Sequence, residues 1–205
     1  DLDDVTVLDP FAGTGRIHRL ARTRGVARTA GIEIEPEWAG MHPDTICGDS
    51  LRWMAVTRHR FDIVATSPCY GNRMADHHDA KDPSRRRSYA HDLGRQPSDG
   101  SSAVMPWGPR YWSFHAAAYR GMLRVLKPGG WLLLNVSDFV RHKELVHAVE
   151  WHHGAAIGVG FEPVPRQNVR WVQTRRLGHG ENRDARAPAE AIIVLQRPGG
   201  TDGRS

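Results

Sequence analysis

Eight consecutive residues, Thr66-Ser67-Pro68-Cys69-Tyr70-Gly71-Asn72-Arg73, set a hydroxyl, a prolyl carbonyl, a thiol and an aromatic ring side by side. Proline locks its own φ, so a carbonyl at Pro68 points in a fixed direction. Hydroxyl and carbonyl oxygens can accept hydrogen bonds from a planar substrate, the ring can stack on it, and a thiol can attack if it ionises. About 55 residues earlier stands Asp9-Pro10-Phe11-Ala12-Gly13-Thr14-Gly15. Glycines there let the backbone pass close to a ligand and aim amide groups at it, which makes Asp9, Phe11, Ala12, Gly13 and Gly15 candidate binding residues. His18 stands where a dinucleotide fingerprint needs its third glycine, and no Gly-Lys-Ser/Thr follows to make a phosphate loop. A tight strand-to-helix turn with no ligand is the alternative.

Two acidic features follow. Gly31-Ile32-Glu33-Ile34-Glu35-Pro36 ends about 20 residues after the glycine turn, where a carboxylate can accept both hydroxyls of a ribose. Glu33 is the residue of choice, because Ile32 and Ile34 alternate around it at the end of a strand. Glu35 and Glu37 read instead as acids at a helix start, where they favour the dipole, and all three acids could serve that way. Cys47-Gly48-Asp49-Ser50-Leu51 comes next. Asp49 could accept a hydrogen bond from an adenine amino group while Leu51 covers the ring; it could equally cap the following helix.

The elements that must position these residues alternate. Val5–Leu8, Thr29–Ile34, Thr45–Cys47, Phe61–Ala65 and Trp131–Val136 read as strands, and Ile17–Arg24, Tyr111–Leu126 and Lys143–Ala156 as helices. Lys127–Gly130 reads as a turn, and Val169–Gln173 and Ala191–Gln196 as closing strands. The expectation is a single α/β domain over residues 1–197, a mostly parallel seven-stranded sheet with helices on both faces. Residues 71–110 break the rhythm as a long polar insertion, with seven Lys/Arg against five Asp. Residues 198–205 read as a disordered tail.

The pair DPFAGTG and TSPCYGNR resembles the S-adenosylmethionine-dependent amino-methyltransferases of DNA, which modify N4 of cytosine or N6 of adenine and carry an (Asp/Asn/Ser)-Pro-Pro-(Tyr/Phe) signature. The resemblance runs roughly from Val5 to Arg197 and includes the Leu-Lys-Pro-Gly-Gly turn at Leu126–Gly130. It implies a Rossmann-like class I methyltransferase fold, S-adenosyl-L-methionine as cofactor, and Ser67, Pro68 and Tyr70 as catalytic residues. An exocyclic amine is a poor nucleophile, because its lone pair is delocalised into the ring. Ser67 and the Pro68 carbonyl would accept its two hydrogens and push it toward tetrahedral geometry, and Tyr70 would stack on the flipped base. Serine at the first position leans toward cytosine. Cys69 departs from the signature's second proline. Pro68-Cys69 also resembles the Pro-Cys pair of cytosine C5-methyltransferases, but the Glu-Asn-Val element of those enzymes reads here as Leu134-Asn135-Val136, without the acid. Guanosine N2-methyltransferases of tRNA share both motifs, so RNA stays open as a substrate. A non-catalytic domain that binds nucleic acid or a partner is the last alternative.

The 205 residues carry a net charge of +5 and a pI near 9.7, which suits a polyanionic partner. Arg73, Arg85, Arg86 and Arg87 lie just past the catalytic loop, placed to meet phosphates. Residues 161–186 add six Arg against three acids, with Trp171 among them. No target-recognition domain fits between the two motifs, so the insertion, the C-terminal part, a partner subunit or a second copy would supply recognition. Twelve histidines do not make a metal site, since His77-His78 and His152-His153 are adjacent rather than spaced as ligands. Two cysteines, the lack of an opening signal sequence and the lack of a 20-residue apolar run point to a cytoplasmic protein without a membrane anchor.

Overall fold

The computed structural model describes residues 2–69, 71, 89–141, 144–165, 169–173 and 189–199. Five strands run parallel: β1 (Thr6–Asp9), β2 (Arg28–Glu33), β3 (Thr45–Cys47), β4 (Phe61–Thr66) and β5 (Leu126–Val136). Their order is β3-β2-β1-β4-β5, so the chain reverses its direction of travel across the sheet between β1 and β4. Ligands in open α/β sheets sit outside the carboxyl ends of the strands at such a switch point.

Three further strands, β8 (Glu162–Pro163), β9 (Val169–Gln173) and β10 (Ala189–Gln196), close the sheet antiparallel beyond β5. β8 pairs with Leu195–Gln196 and β9 with Ala189–Ile193, both on the same side of β10. Seven positions in the sheet are thus filled by eight strands, the outermost one divided. The divided edge was not visible in the sequence, because a two-residue strand has no periodicity to read.

Helices lie between the strands: α1 (Arg19–Arg24), α2 (Pro36–Ala39), α3 (Ser50–Val56), α4 (Tyr89–Leu93), α5 (Pro109–Val125) and α6 (Ala148–Gly158). Alternate residues of the central strands, among them Leu8, Ile32, Val64, Leu132, Leu134, Ile193 and Leu195, are fully or almost fully buried. α5 begins at Pro109, whose missing N–H costs nothing in a first turn, and buries Tyr111, His115, Ala118, Tyr119, Met122 and Val125 along one stripe. It crosses α3 at Gly121, where a Cβ would stand 3.0 Å from the Met54 Cε.

Three expected elements differ. The Lys127–Gly130 turn is part of β5. Phe61 pairs with Leu126 and Ile63 with Trp131, so the Pro-Gly-Gly residues bulge between those pairs while Lys127 reaches both Asp62 carboxylate oxygens at 2.8 and 2.9 Å. The expected Lys143–Ala156 helix is shorter: β6 (Phe139–Arg141) and β7 (Glu144–Val146) form a hairpin first, and Asp138 caps α6 through the Val149 N–H at 2.8 Å. The second half of the 71–110 insertion is ordered rather than an open loop, with α4, a 3-10 turn at Ser102–Val104 and the start of α5. No helix among the described residues is long and apolar enough to cross a membrane.

Candidate functional site

β1 ends in Asp9, and the turn after it is built by hydrogen bonds. Asp9 Oδ1 accepts the Phe11 N–H at 3.0 Å and the Thr66 hydroxyl at 2.6 Å, tying the glycine turn to the end of β4. Burial pushes the Asp9 carboxyl up to about 6, against those two bonds, and the nearby Glu33 adds to the rise. Gly13 and Gly15 both adopt left-handed φ, 53° and 74°. The space a Gly13 Cβ would occupy is empty to 4 Å, whereas a Gly15 Cβ would meet His18 Cδ2 and His42 Cβ at 3.0 Å. Gly13 therefore leaves its side open to the cleft, and Gly15 yields its side to packing.

Glu33 stands at the end of β2 and is almost fully buried. Its Oε2 accepts the Gly13 N–H at 2.7 Å and its Oε1 the Glu35 N–H at 3.0 Å, so one carboxylate ties the first two strand ends together. Burial raises its pKa, and the backbone N–H groups of Glu35, Gly13 and Ile34 hold it back. A carboxylate has about four acceptor directions, so Glu33 can still accept from a ribose hydroxyl beyond these bonds. Asp49 caps α3, its Oδ1 accepting from Leu51 N at 2.8 Å and Arg52 N at 3.2 Å.

A cleft runs over these strand ends. Phe11, Gly13, Glu33, Asp49, Ser67 and Cys69 line it, so the glycine turn, the acid and the catalytic-loop residues meet in one place. Asp9, Ala12, Gly15, Leu51 and Pro68 are not among its lining residues. Asp9, Ala12 and Gly15 brace the turn from behind: the Ala12 N–H donates to Ile32 O at 3.0 Å, and Gly15 packs on His18. Leu51 packs against the apolar core and Pro68 is buried. Tyr70, Arg73, Arg85, Arg86 and Arg87 lie outside the described residues.

Ser67 donates its hydroxyl to the Asn135 carbonyl at 3.1 Å, across from β5. Cys69 is held from two sides: its carbonyl accepts the Tyr111 hydroxyl at 2.6 Å and the Gly71 N–H at 3.2 Å. Burial pushes the Cys69 thiol up to about 11, against contacts with Ser102 and Tyr89, so it is protonated at neutral pH and a poor nucleophile.

Sequence reasoning missed the outer wall. Glu35 does not cap α2 with its side chain. Its carboxylate is instead almost wholly buried under residues 95–98, accepting Arg95 Nη2 at 2.8 Å, Ser98 N at 2.8 Å and Ser98 Oγ at 2.9 Å. Arg95 also reaches both oxygens of Glu37, at 2.8 and 2.6 Å, and holds that carboxyl below the usual range. This clamp seats a strap whose Gly100, Ser101 and Ser102 line the cleft, with Tyr89 of α4 packed edge-on against Trp38 at 4.8 Å. Gly100 lies close against this wall: a Cβ there would stand 2.8 Å from Ile34 Cδ1. The Glu/Arg pairing spans 60 residues and has no local signature; only the acids beside Pro36 hinted at it.

No family model and no curated protein sequence matches the chain. Solved structures resemble it in fold. TrmN from Thermus thermophilus superposes with a TM-score of 0.56 at 16% identity, over 94% of this chain and 44% of TrmN, so this chain spans under half the length of that protein. A SAM-dependent methyltransferase from Methanosarcina mazei gives 0.56 at 12% identity, covering 96% and 94% of the two chains. A putative methyltransferase of Haloferax volcanii, solved in complex with the Trm112 methyltransferase activator, gives 0.58 at 14%, covering 97% and 84%. With its switch point between β1 and β4 and its antiparallel closing strand, this chain has the Rossmann-like fold of class I methyltransferases.

Proposed function

We propose that the chain is an S-adenosyl-L-methionine-dependent methyltransferase that modifies an exocyclic amine of a DNA base, N4 of cytosine in preference to N6 of adenine. One observation carries the reading: Ser67 and Cys69 line the same cleft as Gly13, Glu33 and Asp49. The residues present fit the cofactor, since Gly13, with open space at its Cβ position, and the Glu33 carboxylate both line a cleft at the switch point.

When bound, S-adenosylmethionine supplies an electrophilic methyl on its sulfonium. Glu33 binds the ribose hydroxyls and Asp49 the adenine amino group. Because the Ser67 proton is committed to Asn135, the hydroxyl oxygen serves the target amine as an acceptor. By the resemblance of the motif, the Pro68 carbonyl takes the second amine hydrogen and Tyr70 stacks on the base. Positioning supplies the rate, with no covalent intermediate on the enzyme. The Cys69 thiol, held protonated at neutral pH, argues against C5 chemistry. Arg73 and Arg85–Arg87 are assigned to phosphates by sequence position alone, and a partner subunit or second copy would complete recognition.

RNA is the second reading, favoured by the resemblance of the Asp-Pro-Phe turn and of Pro68-Cys69-Tyr70-Gly71 to the glycine turn and Pro-Pro-Tyr-Gly loop of tRNA guanosine N2 enzymes. Mass spectrometry of nucleosides from DNA and RNA exposed to the protein and cofactor decides. N4-methylcytosine or N6-methyladenine in DNA is the expected product, and Ser67→Ala should lower its yield at least tenfold with cofactor binding unchanged. Methyl groups on cytosine C5, or on neither polymer, would end the proposal.

A further inference from the structure

Behind the catalytic loop, α5 and α6 bury a polar chain that the methyl-transfer reading leaves unused. Tyr111, Tyr119 and His152 are all fully buried. The Tyr111 hydroxyl lies 2.6 Å from the Cys69 carbonyl and 3.0 Å from His152 Nε2, and the Tyr119 hydroxyl meets His152 Nδ1. The direction of every bond follows from one end. A carbonyl only accepts, so Tyr111 spends its single proton on Cys69. His152 must then carry its proton on Nε2 and donate it to the Tyr111 oxygen. Nδ1 is left as an acceptor, and Tyr119 donates to it. Burial keeps His152 neutral and Tyr119 protonated, as this pattern requires. All three bonds point the same way, toward the loop, and so polarise one another.

We propose that Tyr119, His152 and Tyr111 form a directed hydrogen-bond relay that fixes the Cys69 peptide, and through it the catalytic loop. They are positioning residues: none of them lines the cleft. The relay supplies a constraint that the residue type at position 69 does not, since Cys69 lacks the locked φ of a second proline. The other flank of position 70 is held as well. Gly71 backs onto Trp107, where a Cβ would stand 3.1 Å from the Trp107 Cβ and Cε3, and Trp107 packs on Tyr111 with ring centroids 5.1 Å apart. Tyr119 acts at a distance. Without its hydroxyl, only the Tyr111–Cys69 bond still favours the Nε2–H tautomer of His152; in the other tautomer Nε2 accepts, and it competes with Cys69 for the Tyr111 proton.

The role in catalysis rests on the methyltransferase reading, but the relay itself is read without substrate. The chain has two cysteines, so carbonyl-13C-cysteine labelling gives two signals, assigned with Cys47→Ala. Tyr111→Phe should shift the Cys69 carbonyl signal upfield, and Tyr119→Phe should shift it part of the way. Ring-15N spectra should show His152 as the Nε2–H tautomer in the wild type and mixed in Tyr119→Phe. Methyl transfer should fall roughly tenfold to a hundredfold in Tyr111→Phe, in kcat, with the cofactor Kd held within about twofold. An unmoved Cys69 signal in both variants, an Nδ1–H His152 in the wild type, or unchanged kcat overturns the relay. A wild type that methylates neither polymer defeats the functional reading instead, and the relay is then judged on the carbonyl and ring signals alone. If Tyr111→Phe fails to fold, Tyr119→Phe carries the same comparison.

Discussion

Alanine substitution of two glycines in one turn should give opposite results. Gly13 and Gly15 both sit at left-handed φ, which costs a non-glycine residue about 1–2 kcal/mol. At Gly13 that is the whole cost of folding, because no atom lies within 4 Å of the new methyl. At Gly15 the methyl is driven to 3.0 Å from both His18 and His42. His18 cannot retreat, since its ring nitrogens bond Thr29 and Thr45 at 2.9 and 2.8 Å and its face stacks on His42 at 3.9 Å. Overpacking of that kind adds about 1–3 kcal/mol, for a total of roughly 2–5 kcal/mol. Binding should behave in reverse. Gly13 lines the cleft, so a methyl there should weaken the cofactor at least tenfold, about 1.4 kcal/mol, while folded Gly15→Ala binds nearly as well as wild type. Urea unfolding and titration calorimetry with S-adenosylmethionine measure the two effects. Equal losses of stability, or a Gly13→Ala protein with wild-type affinity, would refute the assignment of one glycine to the ligand and the other to packing.

Other outcomes follow from the same geometry. Arg95→Met leaves the buried Glu35 carboxylate with only its Ser98 donors; it should lower stability by about 1–3 kcal/mol, speed cofactor release, and expose residues 94–102 to limited proteolysis. Burial lowers His115 to about 4 from an unfolded value near 6.5, so its contribution to stability is complete above pH 6.5 and about 2 kcal/mol of it is withdrawn by pH 5. Asp9, raised to about 6 from 3.8, has the opposite sign and regains stability as pH falls from 6 toward 4. Asp9→Asn removes that counterweight, so its urea midpoint should drop more steeply than wild type between pH 7.5 and 5. Exposed Cys47 should react at once with a thiol reagent and the half-buried, protonated Cys69 far more slowly, while Cys69→Ala stays active in methyl transfer.

The sequence showed what is local. The glycine turn, Glu33 at a strand end and the apolar stripe of α5 each carry their signal within a few residues, and they lie where periodicity and turn chemistry put them. What escaped depends on contacts between distant segments. Asp49 was left between two roles; it caps α3 and lines the cleft as well. Arg95 looked like one more basic residue of a polar insertion until Glu35 and Glu37, far along the chain, gave it a partner. His152 was half of an adjacent histidine pair with no metal spacing, and only the packing of α6 on α5 reveals its bonds to two tyrosines. Lys127–Gly130 has the composition of a turn, and its place inside β5 is set by the pairing of Asp62 with Lys127.

The divided outer edge bears on self-association. An exposed strand edge is a template for a neighbouring chain, and short edges blunt that hazard. Here β3 offers three residues at one end of the sheet, and β8 offers two at the other, one of them a proline with no N–H to give. Five-residue β9 is the longest edge strand among the described residues, and it carries the exposed Trp171, so it is the edge least blunted by length.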